Sequence, residues 1–137
     1  MIKKEYTFID LFAGAGGLSE GFIRAGFSPI AHIEMKQDAC NTLKTRAAFH
    51  YLQSQGQLSV YEDYLKTKKE GTDGSALWSK VPLGVTDAAI CAAIGEDTIN
   101  GIFEKVDLLK GDKTVDIIIG GPPCQAYSVA GRARMGK

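Results

Sequence analysis

The chain has 137 residues, 45% of them hydrophobic, which fits a single folded domain and excludes general disorder. Its 16 basic and 16 acidic side chains cancel, so composition alone gives no reason to expect a nucleic-acid partner. The sequence contains neither an apolar run of about 18 residues nor a signal peptide, which predicts a cytoplasmic protein. Cys40, Cys91 and Cys124 are widely spaced without a CxxC pair, which argues against a disulfide framework and a zinc site.

The first part of the chain alternates strand and helix patterns. Residues 7–12 form a short apolar, β-favouring run that ends at the glycine cluster of residues 14–17, which predicts a buried strand entering a tight turn. Apolar residues at helical spacing over residues 18–25 predict a helix. A second predicted strand and a second predicted helix follow at residues 28–34 and 37–51.

The second part of the chain is less regular. Polar clusters interrupt any periodicity over residues 53–86, which we interpret as a partly helical insertion. Helices are predicted over residues 86–94 and 97–106. The continuous apolar run at residues 113–119 predicts a parallel strand that is buried on both faces. Strands that alternate with helices predict an open, mostly parallel α/β sheet.

The glycine cluster is a candidate ligand-binding turn. A strand, a glycine-rich turn and a helix amino terminus bring bare backbone amides close to a ligand. In dinucleotide sites an acid about 20 residues further on hydrogen-bonds a ribose, and Glu34 lies at that distance from Gly14. The dinucleotide pattern requires glycine where Ser19 stands, so a nucleoside without a pyrophosphate fits better. The alternative is that these glycines only make a turn and Glu34 is a solvated strand end.

A second candidate site lies in residues 120–128, Gly-Gly-Pro-Pro-Cys-Gln-Ala-Tyr-Ser, after the last predicted strand. Ligands of open α/β sheets bind beyond the carboxyl ends of the strands. Two prolines stiffen the approach to Cys124, and nearby backbone amides or basic side chains would favour its thiolate. The context therefore predicts a nucleophile at Cys124. Cys40 and Cys91, at predicted helical positions, are interpreted as small buried hydrophobes.

Residues 12–17 and 121–128 resemble, in the same order, the first and fourth sequence motifs of the DNA (cytosine-5)-methyltransferases. The resemblance implies a Rossmann-like methyltransferase fold, S-adenosylmethionine as the cofactor and a cytosine flipped out of double-stranded DNA as the substrate. It implies that Cys124 is the nucleophile, that Glu34 binds the cofactor ribose and that Met35 packs against adenine. The cofactor-binding residues that it implies are Asp10, Phe12, Gly14, Gly16, Gly17, Glu34, Met35 and Pro123.

The sequence also departs from the family pattern. Members usually carry an acidic residue after the third strand that reaches the adenine amino group, and the candidates here are Asp97, Asn100 and Asp107. The interval between Glu34 and Cys124 is longer than is typical, which supports an insertion at residues 53–86. No Glu-Asn-Val motif and no recognition domain occur in the 137 residues, so the resemblance implies only the amino-terminal part of a family member. We therefore expect a second polypeptide or further residues to be needed for activity.

Two alternatives remain open at this point. The chain would also suit a methyltransferase that acts on RNA cytosine, or a split or truncated fragment that binds the cofactor without catalysis. A dinucleotide oxidoreductase is disfavoured by Ser19, and this alternative gives Cys124 no role.

Overall fold

The computed structural model describes residues 3–121, which form one parallel sheet with helices on both faces. The four strands have the order β3-β2-β1-β4, and every neighbouring pair is parallel. This arrangement confirms the predicted open α/β sheet. The elements are β1 (Thr7–Leu11), α1 (Gly17–Arg24), β2 (Ser28–Glu34), α2 (Gln37–Ser54), α3 (Leu58–Thr67), α4 (Ser75–Trp78), α5 (Leu83–Asp87), β3 (Ala89–Cys91), α6 (Ile99–Lys110) and β4 (Ile117–Gly120).

Strand β1 is the centre of the core because it pairs on both sides and carries helices on both faces. On one face Phe8 packs against Phe22 of α1, with 5.4 Å between the ring centroids. On the other face Ile9 belongs to a buried aliphatic cluster with Ile33 of β2 and Ile102 of α6. Side chains of a strand alternate between its two faces. The residues of β1 are therefore apolar in succession because both faces are buried.

Three short helices occupy the segment that the sequence predicted to be a partly helical insertion. Helices α3, α4 and α5 all contact α2. Buried side chains of α2, α3, α4 and the link after α4 form a second apolar cluster, consisting of Ala48, Leu52, Tyr64, Leu77 and Val81, against which Val85 of α5 packs. This layer therefore has a small core of its own, separate from the aliphatic cluster on the sheet.

The link between α3 and α4 is exposed over residues 68–73 and is the expected site of first cleavage by trypsin. Tyr64 anchors α3 in the second cluster, whereas Lys68 and Lys69 lie on the surface just after the helix ends. Exposed links open at low free-energy cost, and proteases cut what opens. Limited proteolysis followed by mass spectrometry should find the first cut at Lys68 or Lys69, or at Lys66 in the last turn of α3. A Lys68→Gln/Lys69→Gln variant should be cut more slowly there, and a first cut within residues 113–119 would contradict the sheet assignment.

The helix predicted over residues 86–94 is wrong. Helix α5 ends at Asp87, and strand β3 occupies Ala89–Cys91. The backbone of β2 accounts for this, because the His32 N–H donates to the Ala88 carbonyl (2.7 Å) and the Ala92 N–H to the Glu34 carbonyl (2.9 Å). Pairing with a neighbouring strand overrides a local helical pattern this short.

Cys91 consequently differs from its prediction, and Cys40 does not. Cys91 lies in β3 and is exposed, whereas the sequence placed it in a helix as a buried hydrophobe. Cys40 is buried in α2 as predicted.

The last strand is shorter and less buried than predicted. The sequence indicated a strand over residues 113–119 with both faces covered, but β4 spans Ile117–Gly120, and its residues alternate between half-buried and exposed. Within the described residues β4 lies at the edge of the sheet and pairs only with β1. Ile118 lies beside Ile9 on the face that carries α6, and it is 64% exposed.

Candidate functional site

The parallel strands bring their carboxyl ends to one edge of the sheet, where a cavity opens. Strands β1 and β2 end there at Leu11 and Glu34, and the chain continues past β4 into Gly121. The cavity has a volume of about 510 Å³. It is lined by Phe12, Gly14, Ile33, Glu34, Met35, Lys36, Ala39, Ala92, Ala93, Ile94 and Gly121. Ligands of open α/β sheets bind at this edge.

The turn after β1 has a backbone that most residues avoid. Phe12 has a φ of 58°, in the left-handed region where a large side chain is strained. Residues held in this way by their surroundings cluster at ligand sites. Gly16 has a φ of 88°, and a Cβ atom there would lie 2.9 Å from Leu43 Cδ2. Glycine is therefore favoured at position 16, where any other side chain would be strained by the backbone and would have to displace the Leu43 side chain.

Glu34 joins the two strand ends through its carboxylate. Oε2 accepts a hydrogen bond from the Gly14 N–H (2.8 Å), and Oε1 accepts one from the Lys36 N–H (2.9 Å). The thiol of Cys40 donates to the Glu34 carbonyl (3.2 Å). Each carboxylate oxygen has a further lone pair, so Glu34 can accept hydroxyl donors of a ligand while it keeps these contacts. These bonds distinguish Glu34 from a free, solvated strand end.

The wall of the cavity beyond Glu34 is apolar. Met35 and Ala39 line it from the start of the β2–α2 connection, and Ala92, Ala93 and Ile94 line it after β3. Flat apolar surfaces of this kind accept a planar base. The acid candidates Asp97, Asn100 and Asp107 do not line the cavity. The residues at the end of the third strand were missed because the sequence pattern placed a helix there.

The predicted site residues fall into three groups. Phe12, Gly14, Glu34 and Met35 line the cavity together, and Gly16 and Gly17 form the start of α1 next to it. No side chain caps the first turn of that helix, so its amides are available to a ligand.

Asp10 belongs to the second group, because it points away from the cavity. It is 1% exposed, and its Oδ2 lies 2.5 Å from Ser19 Oγ. The pKa of this carboxyl group is raised, chiefly by burial. The hydrogen bond from Ser19 opposes this shift, and the charge of Glu34 adds to it. The third group, Pro123 and Cys124, lies outside the described residues.

Within residues 3–121, no group of three or more His, Cys, Asp or Glu side chains is arranged to hold a metal ion. No helix in that part of the chain is long and apolar enough to cross a membrane.

An open parallel sheet with a glycine turn after its first strand and an acid at the end of its second defines a Rossmann-like class of nucleotide- and nucleoside-binding proteins. Within that class, the family model of C-5 cytosine-specific DNA methylases matches residues 6–62 and 92–137. The chain belongs to this family.

Curated relatives extend the match over almost the whole chain. The type II methyltransferase M.Bpa9945I of Bacillus paralicheniformis is 36% identical over 93% of this chain and 32% of its own length. The putative type II methyltransferase M.MjaORF1200P of Methanocaldococcus jannaschii is 32% identical over 93% of this chain and 37% of its own length. The type II methyltransferase M.AquIA of Picosynechococcus sp. is 30% identical over 96% of this chain and 37% of its own length. This chain thus spans about a third of the length of these relatives. No solved structure gave a significant match.

Proposed function

We propose that the chain binds S-adenosylmethionine in the cavity at the carboxyl edge of the sheet and contributes the nucleophile for methylation of cytosine carbon 5 in DNA. The observation that carries the proposal is the Glu34 carboxylate, bound to the glycine turn in a chain of the C-5 cytosine-specific DNA methylase family. The curated relatives, named as type II methyltransferases, support the same reaction class.

The described residues fit this cofactor. Glu34 would accept the ribose hydroxyls, while Met35 and the alanines after β3 would contact the adenine ring. The uncapped amides at the start of α1 would face the carboxylate of the methionine part. The cofactor supplies a methyl group on a positively charged sulfur. Ser19 supports a cofactor without a pyrophosphate, since it stands at the third glycine position of the dinucleotide pattern.

In the proposed reaction the Cys124 thiolate adds to carbon 6 of cytosine, which turns carbon 5 into an enamine nucleophile. Carbon 5 would then take the methyl group from the sulfonium, with S-adenosylhomocysteine as the leaving group. A base, such as a water molecule, would accept the carbon-5 proton, and elimination of the thiolate from carbon 6 would restore the aromatic ring. Neither ring carbon can be reached in line while the base is stacked, so the target cytosine must leave the duplex. An acid that contacts the ring nitrogen would help to activate the base.

We also propose that catalysis needs residues beyond these 137, supplied by a second polypeptide or by further chain. The chain spans about a third of the length of its relatives. The outer edge of β4 supports the proposal, because no strand among residues 3–121 pairs with it. Beside it, Ile118 on this strand is 64% exposed and Phe103 on α6, which covers the same face, is 57% exposed. An unpaired strand edge beside apolar surface is a site where a sheet is extended.

Residues 53–86 are proposed to be an insertion in the cofactor-binding domain. The family match leaves out residues 63–91, and helices α3, α4 and α5 contact α2 rather than lengthening the sheet. A variant with residues 58–86 replaced by a short Gly-Ser linker should keep its affinity for the cofactor if the segment is an addition. Loss of binding in a folded sample would show that the segment supports the site.

Calorimetry on the 137-residue chain tests the cofactor assignment. S-adenosylmethionine and S-adenosylhomocysteine should both bind with a stoichiometry of one, whereas a nicotinamide dinucleotide should not bind. A folded sample that binds the dinucleotide and neither adenosyl compound would overturn the assignment. Circular dichroism on the same sample establishes the fold.

A non-catalytic fragment is the second candidate, and it is favoured by the share of the relatives that the chain covers. Both candidates bind the cofactor. They differ in covalent capture of cytosine, which the fragment would not perform even with a complementing polypeptide.

A further inference from the structure

Three polar side chains are buried in a row beneath the glycine turn. Asp10 of β1 is 1% exposed, Ser19 of α1 is 2% exposed and His32 of β2 is 6% exposed. Ser19 Oγ lies 2.5 Å from Asp10 Oδ2 and 2.9 Å from His32 Nδ1. A single hydroxyl group therefore joins three elements of the fold.

With Asp10 ionised, the three groups allow one direction for the hydrogen bonds. Burial lowers the pKa of His32 to about 4, assisted by the charge of His50, so the ring is neutral near pH 7. A neutral ring with its proton on Nδ1 donates to Ser19 Oγ, and the Ser19 hydroxyl then donates to the Asp10 carboxylate. Each group has a partner in this arrangement, and a buried charge is stabilised by a neutral donor chain.

This row lies close in sequence to both ends of the bond between the glycine turn and Glu34. Asp10 lies two residues before the strained Phe12, and His32 lies two residues before Glu34. Ser19 stands in the first turn of α1, two residues after Gly17. The left-handed backbone at Phe12 persists only if its surroundings hold it, and the row supplies a fixed attachment on each side of the turn.

Ser19 therefore has a positive role at the position where dinucleotide folds carry glycine. The third glycine of that pattern allows close packing of helix on strand. In this chain the side chain at that position is small enough for close packing and also reaches Asp10 and His32.

We propose that Ser19 is a positioning residue for the cofactor, acting through Asp10 and His32 to set the distance between the glycine turn and Glu34. The inference rests on the proposed function, since it assumes that the adenosyl cofactor occupies this cavity. Ser19→Ala leaves Asp10 and His32 without their shared partner and should weaken S-adenosylhomocysteine binding about tenfold, within the usual cost of an unpaired buried polar group.

The experiment compares Ser19→Ala with Val81→Ala in the 137-residue chain. Val81 is buried in the second apolar cluster and is not among the cavity residues. Its substitution by alanine should therefore lower the stability of the fold without changing the site. Titration calorimetry with S-adenosylhomocysteine is run at a temperature at which circular dichroism finds both variants folded. Ser19→Ala should lose about tenfold in affinity, while Val81→Ala should stay within about twofold, as expected of distant sites. Equal affinities in the two variants would overturn the inference.

Nitrogen-15 NMR of the histidine rings gives a readout that stability alone does not move. In the wild-type chain His32 should carry its proton on Nδ1, and its ring signals should shift when S-adenosylhomocysteine binds. Ser19→Ala should lose the Nδ1–H form. A wild-type His32 with its proton on Nε2, or ring signals that ignore the ligand, would each overturn the inference even if the variant does not fold. A folded wild-type chain that binds no adenosyl compound would instead refute the proposed function.

Discussion

Cys124→Ser is expected to abolish covalent capture of cytosine while leaving cofactor binding in place. A thiolate forms near neutral pH when amides or cations favour it, whereas a serine hydroxyl stays protonated without a dedicated base. The ring carbon of cytosine is then never attacked, and the carbon-5 position remains inert. The glycine turn and Glu34, which carry the cofactor proposal, are separate from this residue in the sequence.

DNA that contains 5-fluorocytosine measures this directly, because fluorine cannot leave as the carbon-5 proton does and the adduct persists. The chain is supplied with a polypeptide that carries the remaining family motifs, and the adduct is detected on a denaturing gel. The complemented wild-type chain should be trapped and Cys124→Ser should not. The 137-residue chain alone should form no adduct, and a full adduct without complement would contradict the need for further residues.

The other two cysteines serve as controls, and they differ in how accessible their thiols are. Cys40 is fully buried, and burial raises the pKa of its thiol to about 12, which leaves almost no thiolate at neutral pH. Cys91 is exposed at the end of β3 and is therefore the thiol that must be tested as a competitor. Cys91→Ser should be trapped like the wild-type chain. If the adduct is lost in Cys91→Ser and kept in Cys124→Ser, the nucleophile is Cys91 and our assignment of Cys124 is wrong.

The first half of the sheet was predictable because its signals are local. The apolar run at Thr7–Leu11 ends in glycines, and Ser28–Glu34 repeats the strand pattern after a helix with a clear period. The spacing between Gly14 and Glu34 indicated a shared ligand at the ends of β1 and β2, and parallel neighbours end at the same edge. The observed bond between the Gly14 N–H and the Glu34 carboxylate, at 2.8 Å, follows from that register.

The second half depended on contacts that no local pattern records. Strand β3 has three residues, and its backbone bonds to β2 outweigh the helical spacing around it. The apolar run before Gly120 indicated a strand buried on both faces, but burial depends on what lies beyond β4. A run of isoleucines can be buried on both faces, but the segments that pack against the strand determine how much of it is buried.

The meeting of the strand ends at one edge was predictable, whereas the direction of a side chain was not. The resemblance implied Asp10 as a cofactor-binding residue, but strand alternation points its side chain into the core, where it accepts a hydrogen bond from Ser19. The alanines after β3 line the cavity without any functional signature in the sequence. Only the register of β3 on β2 brings them there.

Glu34→Gln is expected to weaken S-adenosylhomocysteine binding by about 1.5–3 kcal/mol, the range for hydrogen bonds to a charged group. The carboxylate accepts the Gly14 N–H with one oxygen and the Lys36 N–H with the other. An amide of the same shape has a single oxygen, so its NH₂ group must face one of these two donors. The glycine turn or the β2–α2 connection then loses its partner, and the ribose loses a charged acceptor.

Glu34→Ala and Glu104→Gln complete the comparison by calorimetry, with thermal melts on each sample. Glu104 is an exposed residue of α6 that is not among the cavity residues, so its amide variant should bind like the wild-type chain. Glu34→Ala should lose affinity within the same range of about 1.5–3 kcal/mol, because both the turn contact and the ribose acceptor disappear. Full affinity in Glu34→Gln together with a loss in Glu34→Ala would mean that one neutral acceptor is enough. Unchanged affinity in both variants, with the fold intact, would return Glu34 to a purely structural role and remove the main support for the cofactor proposal.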